Sequence, residues 1–272
     1  MIESALEGGA GDEGGWLTLL VLGALQGATE FLPVSSSGHL VIIGEWMGGA
    51  GGAGLSTEVA LHFGTLVSVV LFCRRDLGDM VRMASSALWR LVIGASLVTA
   101  VVGLSLGRLI EANLATPPMA GTGLLVTAAL LACVAPRDDT RLERTLDQGT
   151  WRDALLLGLF QSLALMPGIS RAGATLTCAL LLGFQRSHAV RVAFLVSIPA
   201  VGGAVLLKAR DGESLADMIE TPVLAGTLLA CLVGIAALRF VAVHVDPISL
   251  RRFACYCAGL GLAAILTAVA FG

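Results

Sequence analysis

The chain has 272 residues, of which 56% are hydrophobic and only 14% are charged. An ordinary soluble domain has roughly 25% charged residues, so a water-soluble globule is excluded. The mean hydropathy of +0.86 also excludes a disordered chain. The net charge of −3 leaves no basic excess, so we expect no nucleic-acid partner. The composition therefore predicts an all-α polytopic membrane protein whose surroundings are the lipid bilayer.

Six apolar stretches are close to the length, roughly 17–25 residues, of a helix that crosses a bilayer. The predicted transmembrane helices are 58–73, 91–110, 118–136, 190–207, 222–243 and 253–271. The boundaries of the first are the least distinct, because it is short and contains Glu58 and His62.

Two further apolar segments, 16–47 and 154–184, are interrupted by clusters of Pro, Gly and Ser. The sequence PVSSSGH follows the first half of one at residues 33–39, and PGISRAGAT follows the first half of the other at 167–175. We expect each half to be too short to cross the membrane. A broken backbone is stable at membrane depth only when protein or a wet cavity surrounds it. We therefore predict two re-entrant helix–turn–helix hairpins.

Basic residues follow the positive-inside rule for this layout. If the chain starts outside and both hairpins return to their own side, the inner segments contain 13 of the 17 Lys and Arg residues and the outer segments contain three. These inner segments are 74–90, 137–152, 185–191 and 239–252. The remaining basic residue, Arg171, lies within the second hairpin.

The chain also repeats itself within one integral membrane domain that covers residues 1–272. The motif around Gln26 recurs around Gln161, and in both copies a serine stands three residues after the proline of the break. Three predicted spans follow each hairpin, so the second copy enters the membrane from the opposite side. The pattern predicts inverted repeats over approximately 16–136 and 154–271, whose two breaks meet near the midplane.

Two charged residues are predicted inside the hairpins. An arginine at the depth of Arg171 costs about 2.5–3.5 kcal/mol to insert, and Glu30 lies in an otherwise apolar stretch. Gln26 shares a helix face with Glu30, because the two are four residues apart. One interpretation is a structural ion pair between Glu30 and Arg171. The other is a site in which Arg171 clamps a phosphate while Glu30 binds a divalent cation or acts as a general base.

Hydroxyl and imidazole groups follow the same two prolines. Ser35, Ser36 and Ser37 begin a helix whose free N–H groups attract an anion, although serines are also ordinary capping residues. His39 lies within one turn of Ser36, where it either packs in the core or takes part in the chemistry. The second hairpin offers a further anion-binding set: Ser170, Gly173 and Thr175. Together these groups suit a phosphate held away from water, and in a chain with no soluble domain that phosphate belongs to a lipid.

At these residues the chain resembles the bacterial undecaprenyl-diphosphate phosphatases of the bacitracin-resistance family. GATEFLPVSSSGH at 27–39 and PGISRAGAT at 167–175 are similar to its two signature motifs, and FGTL at 63–66 fits the region between them. The resemblance implies an inner-membrane hydrolase that removes the terminal phosphate of undecaprenyl diphosphate and regenerates the monophosphate carrier for peptidoglycan synthesis. It also implies a divalent cation (Mg²⁺ or Ca²⁺), a pocket open to the periplasmic side, and a homodimer.

The resemblance also assigns the family's functional positions to seven residues of this chain. In chain order these are Gln26, Glu30, Ser35, Ser36, His39, Ser170 and Arg171. Gln26 stands where many relatives have a glutamate, so metal binding depends more on Glu30. Ala172 stands where a serine is common, which removes one hydroxyl from the second hairpin.

The mechanism predicted from these residues is hydrolysis of a diphosphate held by Arg171. Ser36 is the expected nucleophile, Glu30 or His39 its base, and Gln26 the residue that orients a metal-bound water or a phosphate oxygen. His39 itself and a metal-bound water are the alternative nucleophiles.

Three other classes of protein share part of this pattern. Type-2 phosphatidic acid phosphatases have Ser-Gly-His, as at 37–39, but their Ser-Arg motif ends in a histidine where this chain has Thr177, so that class is excluded. An inverted-repeat transporter or lipid-carrier flippase needs broken helices but no nucleophile. A purely structural membrane protein leaves Arg171 and Glu30 buried without a reason.

Overall fold

The computed structural model describes residues 11–46, 55–82, 86–114, 116–136, 142–210 and 220–271. Within these ranges the chain forms eleven α-helices and a short 3₁₀ helix, Leu146–Gln148. The α-helices are α1 Gly11–Phe31, α2 Ser36–Trp46, α3 Leu55–Phe72, α4 Arg74–Val81, α5 Ser86–Leu114, α6 Pro117–Val134, α7 Trp151–Leu163, α8 Arg171–Leu181, α9 Arg186–Arg210, α10 Thr221–His244 and α11 Pro247–Phe271. The described part contains no β-strand, only an isolated bridge between Arg144 and Phe184.

Five helices are long and apolar enough to cross a membrane: α5, α6, α9, α10 and α11. The remaining predicted span corresponds to α3, which ends at Phe72 and is followed by α4 at an angle of 67°. Cys73 separates the two helices, and the charged pair Arg74 and Arg75 begins α4. If the bent α3–α4 pair is one broken span, the described part has six spans, as predicted. The all-α polytopic membrane architecture is confirmed.

Both predicted breaks interrupt the helices, at 32–35 between α1 and α2 and at 164–170 between α7 and α8. The prediction that every half is too short to cross is wrong for α1, which has 21 residues, whereas α2, α7 and α8 have 11, 13 and 11. A helix of 21 residues, such as α1, is about 31 Å long. Hydropathy underestimates the length of α1, because the helix begins at Gly11, in polar residues before the apolar stretch. The re-entrant course of both pairs stays a prediction, and residue 47 lies outside the described residues.

The helices pack in a paired pattern. α10 packs against both α1 and α3, α5 packs against both α7 and α9, and α6 lies along α11. Small residues allow close approach of the backbones. A Cβ on Gly23 would lie 2.3 Å from the Gly226 carbonyl oxygen, and a Cβ on Gly158 would lie 2.7 Å from that of Ala95. Gly23 and Gly158 are equivalent positions in the predicted repeats, but the inverted relation of the two halves stays a prediction.

Three of the four segments predicted on the inner side contact one another. Asp76 and Arg191 form an ion pair between α4 and α9. The Gln185 backbone N–H donates to the Arg144 carbonyl at 2.9 Å, which joins the loop before α7 to the turn before α9. These contacts place the three segments at one end of the bundle, as a common side requires. Residues 83–85 and 137–141 of this inner set lie outside the described residues.

The bundle is apolar on its outer surface as well as in its core. On α5, Leu97, Val101 and Leu104 are 60–70% exposed, as expected for side chains that face lipid. In the core, the Phe194 ring lies edge-on to Phe31 and Phe72, with centroids 6.1 and 5.8 Å apart. Because Phe31 is the last residue of α1, this packing fixes the end of α1 beside the first break.

Candidate active site

The second break is fastened to α6. Gly168 has a φ of +86°, and a Cβ there would lie 1.9 Å from the Ala120 carbonyl oxygen, so glycine is required. The buried Thr127 hydroxyl donates to the Gly168 carbonyl at 2.9 Å and accepts from the Ser170 N–H at 2.9 Å. These contacts fix the backbone immediately before Arg171.

The first break is fastened to α11. Among the described non-glycine residues, only Ser35 has a positive φ, 67°, a conformation that costs about 1–2 kcal/mol. Its carbonyl accepts from the His39 backbone N–H at 3.3 Å and from the His39 ring Nδ1 at 2.6 Å. His39 Nε2 lies 2.6 Å from the Tyr256 hydroxyl. The neighbouring Cys257 thiol donates to the Pro33 carbonyl at 3.6 Å.

Glu30 is the point at which the two breaks meet. This residue, in the last turn of α1, forms an ion pair with Arg171, the first residue of α8, and the two side chains are only 5% and 14% exposed. The Ser36 hydroxyl donates to Glu30 Oε2 at 2.6 Å, and the Gln26 amide donates to the same oxygen at 3.0 Å. Removing two charges from water is unfavourable, so these further hydrogen bonds help to stabilise the buried pair.

His62 joins this network, and the sequence prediction left it out. Its Nδ1 lies 2.9 Å from Gln26 Nε2 and 3.7 Å from Glu30 Oε2, while its Nε2 lies 3.7 Å from Glu58 Oε1. The Gln26 NH₂ group donates to Glu30 and has a second hydrogen for His62 Nδ1, so the neutral ring has its proton on Nε2. The signal in the sequence was an imidazole one turn after a glutamate in an apolar helix. That signal does not show which helix the ring faces.

A cavity of about 200 Å³ opens beside the Glu30–Arg171 pair. Its polar wall comprises Thr29, Glu30, Ser35, Ser36, Ser37, His62, Ser170 and Arg171. Its other wall comprises Thr99, Gln161, Ala164, Leu165, Ile169, Ala200, Val201 and Ala204. The Gln161 amide donates to the Thr99 hydroxyl at 2.9 Å. The sequence prediction missed both residues as site members, although Gln161 was visible as the repeat equivalent of Gln26.

The structure does not bring His39 into the cavity. The residue is 3% exposed, and both ring nitrogens are engaged, by the Ser35 carbonyl and the Tyr256 hydroxyl. The geometry therefore gives no support to His39 as the base or the nucleophile. The Ser36 hydroxyl instead bonds to Glu30.

The other predicted residues of the second hairpin have different positions. Ser170 lines the cavity and caps α8, because its hydroxyl accepts from the Gly173 N–H at 3.1 Å. The Thr175 hydroxyl donates to the Arg171 carbonyl at 2.8 Å. Gly173 and Thr175 do not line the cavity, whereas Ser170 and Arg171 do. The hydrogen bonds of Gly173 and Thr175 stabilise the first turn of α8 instead.

Three buried polar atoms near the cavity have no hydrogen-bond partner among the described residues: Arg171 Nη1, Gln26 Oε1 and Gln161 Oε1. Buried polar atoms without a partner are uncommon in proteins. The free guanidinium N–H is a donor for a phosphate oxygen. The two amide oxygens are acceptors, which suit a cation or a water molecule.

The groups that could hold a divalent cation are few. Over the part of the chain that the structure describes, no group of three or more His, Cys, Asp or Glu side chains is arranged to hold a metal ion by itself. Glu30 supplies one carboxylate and Gln26 Oε1 supplies an unpaired oxygen beside it. This donor set fits a hard cation that takes its other ligands from substrate phosphates and water.

The chemistry available to the site is displacement at a phosphate. A hydroxyl bonded to a carboxylate is a nucleophile beside its base. The Arg171 Nη1 atom supplies a donor for a phosphate oxygen, and the positive end of the α8 dipole begins at the same residue. The apolar wall on α9, Ala200, Val201 and Ala204, suits a hydrocarbon chain attached to that phosphate.

Comparison with known proteins identifies the family of the chain. The family described as bacitracin resistance protein BacA matches residues 19–263. An undecaprenyl-diphosphatase from Geobacter metallireducens is 38% identical over 252 residues, which cover 87% of this chain and 92% of the relative. A protein of the same name from Desulfatibacillum aliphaticivorans is 36% identical, and the match covers 89% of this chain and 95% of the relative. Another from a Nocardioides species is also 36% identical, and that match covers 94% of this chain and 97% of the relative. The chain therefore belongs to the bacitracin resistance protein BacA family.

Proposed function

We propose that the protein removes the terminal phosphate of undecaprenyl diphosphate and releases undecaprenyl phosphate, the lipid carrier for peptidoglycan synthesis. One observation carries the proposal: the Ser36 hydroxyl lies 2.6 Å from the Glu30 carboxylate in a cavity that also exposes Arg171. The name shared by the relatives supports the substrate. The position of the cavity among apolar helices supports a lipid substrate.

In the proposed reaction, Ser36 is the nucleophile and Glu30 the base. The Ser36 oxygen attacks the terminal phosphorus, its proton passes to Glu30, and the bond from that phosphorus to the bridging oxygen breaks. Glu30 returns the proton to the departing lipid monophosphate. Water then attacks the phosphoserine, Glu30 accepts a proton from that water, and Ser36 recovers it as inorganic phosphate leaves.

The diphosphate is held mainly by Arg171. Its Nη2 contacts Glu30, and its Nη1 is the unpaired donor that a phosphate oxygen would satisfy. Fixed donors in a site without bulk water stabilise charge that develops on the departing phosphate. Ser35, Ser37 and Ser170 lie on the same wall and add hydroxyl and backbone donors around the phosphate.

A divalent cation, Mg²⁺ or Ca²⁺, is part of the proposal. Glu30 and Gln26 would hold it, because Glu30 is a carboxylate in the cavity wall and Gln26, which donates to Glu30, has an amide oxygen without a partner. When bound, the cation would neutralise charge on the diphosphate. Gln26 has the further task of orienting Glu30, since its amide donates to Oε2 at 3.0 Å.

A transporter or flippase is not favoured. Its binding site would need Arg171 but would not need a serine hydroxyl bonded to a buried carboxylate. The three relatives described above are named as diphosphatases.

The proposed location is the bacterial inner membrane, with the cavity open to the periplasmic side. The distribution of basic residues supports this orientation, because 13 of 17 lie in the segments predicted to be inner. The proposed assembly is a homodimer, which rests on the resemblance alone. Light scattering of the purified protein in detergent tests that assembly, because it measures the mass of the protein in each particle.

Release of inorganic phosphate from a C55 or shorter prenyl diphosphate by purified protein in detergent tests the function. We expect release that a chelator suppresses and Mg²⁺ or Ca²⁺ restores. A folded wild-type protein that releases no phosphate contradicts the function. Full activity in the chelator contradicts the cation while leaving the hydrolysis intact.

A further inference from the structure

The two nitrogens of the His39 ring have distinct partners, which fix its protonation. A carbonyl oxygen can only accept, so Nδ1, 2.6 Å from the Ser35 carbonyl, carries the proton. In the neutral ring Nε2 is then an acceptor, and the Tyr256 hydroxyl donates to it at 2.6 Å. The two rings are nearly parallel, 10° apart in orientation, with centroids 5.7 Å apart. The Ser35 carbonyl therefore selects the tautomer, and Tyr256, hydrogen-bonded to Nε2, holds the orientation of the His39 ring.

The Nδ1 proton of His39 fixes a backbone that is otherwise unfavourable. Ser35 has a φ of 67°, a conformation that serine rarely adopts. Its carbonyl accepts from both the backbone N–H and the ring of His39. The next residue is Ser36, whose hydroxyl donates to Glu30 at 2.6 Å. A shift of the Ser35 peptide would therefore move the Ser36 hydroxyl relative to Glu30.

The same stretch of α11 holds the other side of the break. The thiol of Cys257, next to Tyr256, donates to the Pro33 carbonyl. The second break has a comparable support, because Thr127 on α6 bonds to both Gly168 and Ser170. Each break thus depends on a helix from the other predicted repeat, since α11 follows the second hairpin and α6 follows the first.

We propose that Tyr256 is a positioning residue for the Ser36 hydroxyl, acting through the His39 ring and the Ser35 carbonyl. This inference rests on the proposed function for its reaction but not for its geometry. It gives His39 a role outside proton transfer, and it gives the single tyrosine of the chain a role in the site.

Tyr256→Phe is the first test, because it removes the hydroxyl and keeps the ring. With prenyl diphosphate and detergent-purified protein, we expect kcat, normalised to the folded fraction, to fall about fivefold, the effect of one neutral hydrogen bond. KM stays unchanged because Arg171 is untouched. Thr267→Val is the matched control, since it removes an α11 hydroxyl that bonds to carbonyls of its own helix; we expect wild-type kcat. An unchanged kcat in Tyr256→Phe, or a change confined to KM, overturns the proposal.

A double-mutant cycle tests the route through His39. If Tyr256 acts through that ring, Tyr256→Phe lowers kcat in the wild-type background but has no further effect in His39→Asn. Equal fold-changes in both backgrounds overturn the proposal, because Tyr256 would then act by another route.

A spectroscopic measurement separates this inference from the proposed function. In protein labelled with ¹⁵N-histidine, we expect His39 to carry its proton on Nδ1 in both the wild type and Tyr256→Phe, because the Ser35 carbonyl is present in both. We expect the Nε2 resonance of His39 to shift in Tyr256→Phe, because its hydrogen bond from the tyrosine hydroxyl is lost. An unchanged Nε2 resonance in Tyr256→Phe overturns the inference. If the wild type releases no phosphate, the proposed function fails, and the ¹⁵N signals still decide whether Tyr256 controls His39.

Discussion

Replacing Thr127 by valine tests how strongly α6 holds the second break. Valine keeps nearly the same shape but lacks the hydroxyl, which is fully buried. The Gly168 carbonyl and the Ser170 N–H, each 2.9 Å from that hydroxyl, would both lose their partner. A buried backbone group left without a hydrogen bond costs about 1–3 kcal/mol. For the two groups together, we expect the free energy of unfolding to fall by at least about 2 kcal/mol.

Unfolding by SDS in mixed micelles measures this loss, and phosphate release measures its effect on the site. Activity should fall as well, because Ser170 immediately precedes Arg171. Thr127→Ser keeps the hydroxyl and should stay close to the wild type. Thr122→Val, on the same helix, removes an exposed hydroxyl bonded to the Pro118 carbonyl, and we expect a change below about 0.5 kcal/mol. Equal stability of Thr127→Val and Thr122→Val would refute the reasoning.

Three further predictions concern the charges and the nucleophile. Arg171→Lys keeps the charge but removes the free guanidinium arm, so kcat/KM should fall about a hundredfold; a near wild-type value would show that the arm does not bind phosphate. Ser36→Ala should slow phosphate release at least about a thousandfold, while Ser162→Ala, whose hydroxyl bonds within α7, should not; an active Ser36→Ala would leave water as the nucleophile. Burial alone would raise the pKa of Asp153, but hydrogen bonds, led by those from Arg144, hold it below the ordinary 3.8. Its stabilisation is therefore complete above that pH and is lost as the pH falls towards the lowered pKa. Asp153→Asn should remove this pH dependence. The range from pH 5 to 3 covers about one unit either side of the ordinary pKa. Wild-type unfolding curves that do not change over this range would contradict the prediction.

The spans were predictable because lipid exposure and helix burial both demand apolar residues. The stretch 91–110 lies inside α5, and 253–271 nearly coincides with α11. Hydropathy measures transfer into lipid, whereas a helix ends where its backbone hydrogen bonding ends. That difference explains why α1 begins at Gly11, in residues that no hydropathy window selects. The 67° turn at Cys73 depends on tertiary packing, which a linear pattern does not contain.

The charged centre of the site was predictable, but its surroundings were not. Glu30 and Arg171 were detectable because an ionised group in an apolar stretch is costly, and the structure places them in contact. His62 and Gln161 come from helices whose approach to the break is decided by packing, so no local spacing marks them as neighbours. His39 was adjacent in sequence to the serines, yet its ring points to α11. Proximity along the chain does not fix the direction of a side chain.

The attachment of the first break to α11 has a consequence for biosynthesis. His39 and Tyr256 are separated by 217 positions, so the ribosome makes the serine cluster long before it makes the residues that hold it. A nascent chain that stops within α10 would insert its first hairpin without Tyr256 or Cys257. Full activity would therefore require the insertion of α11, so partly synthesised copies would act more slowly on lipid diphosphates than the finished protein.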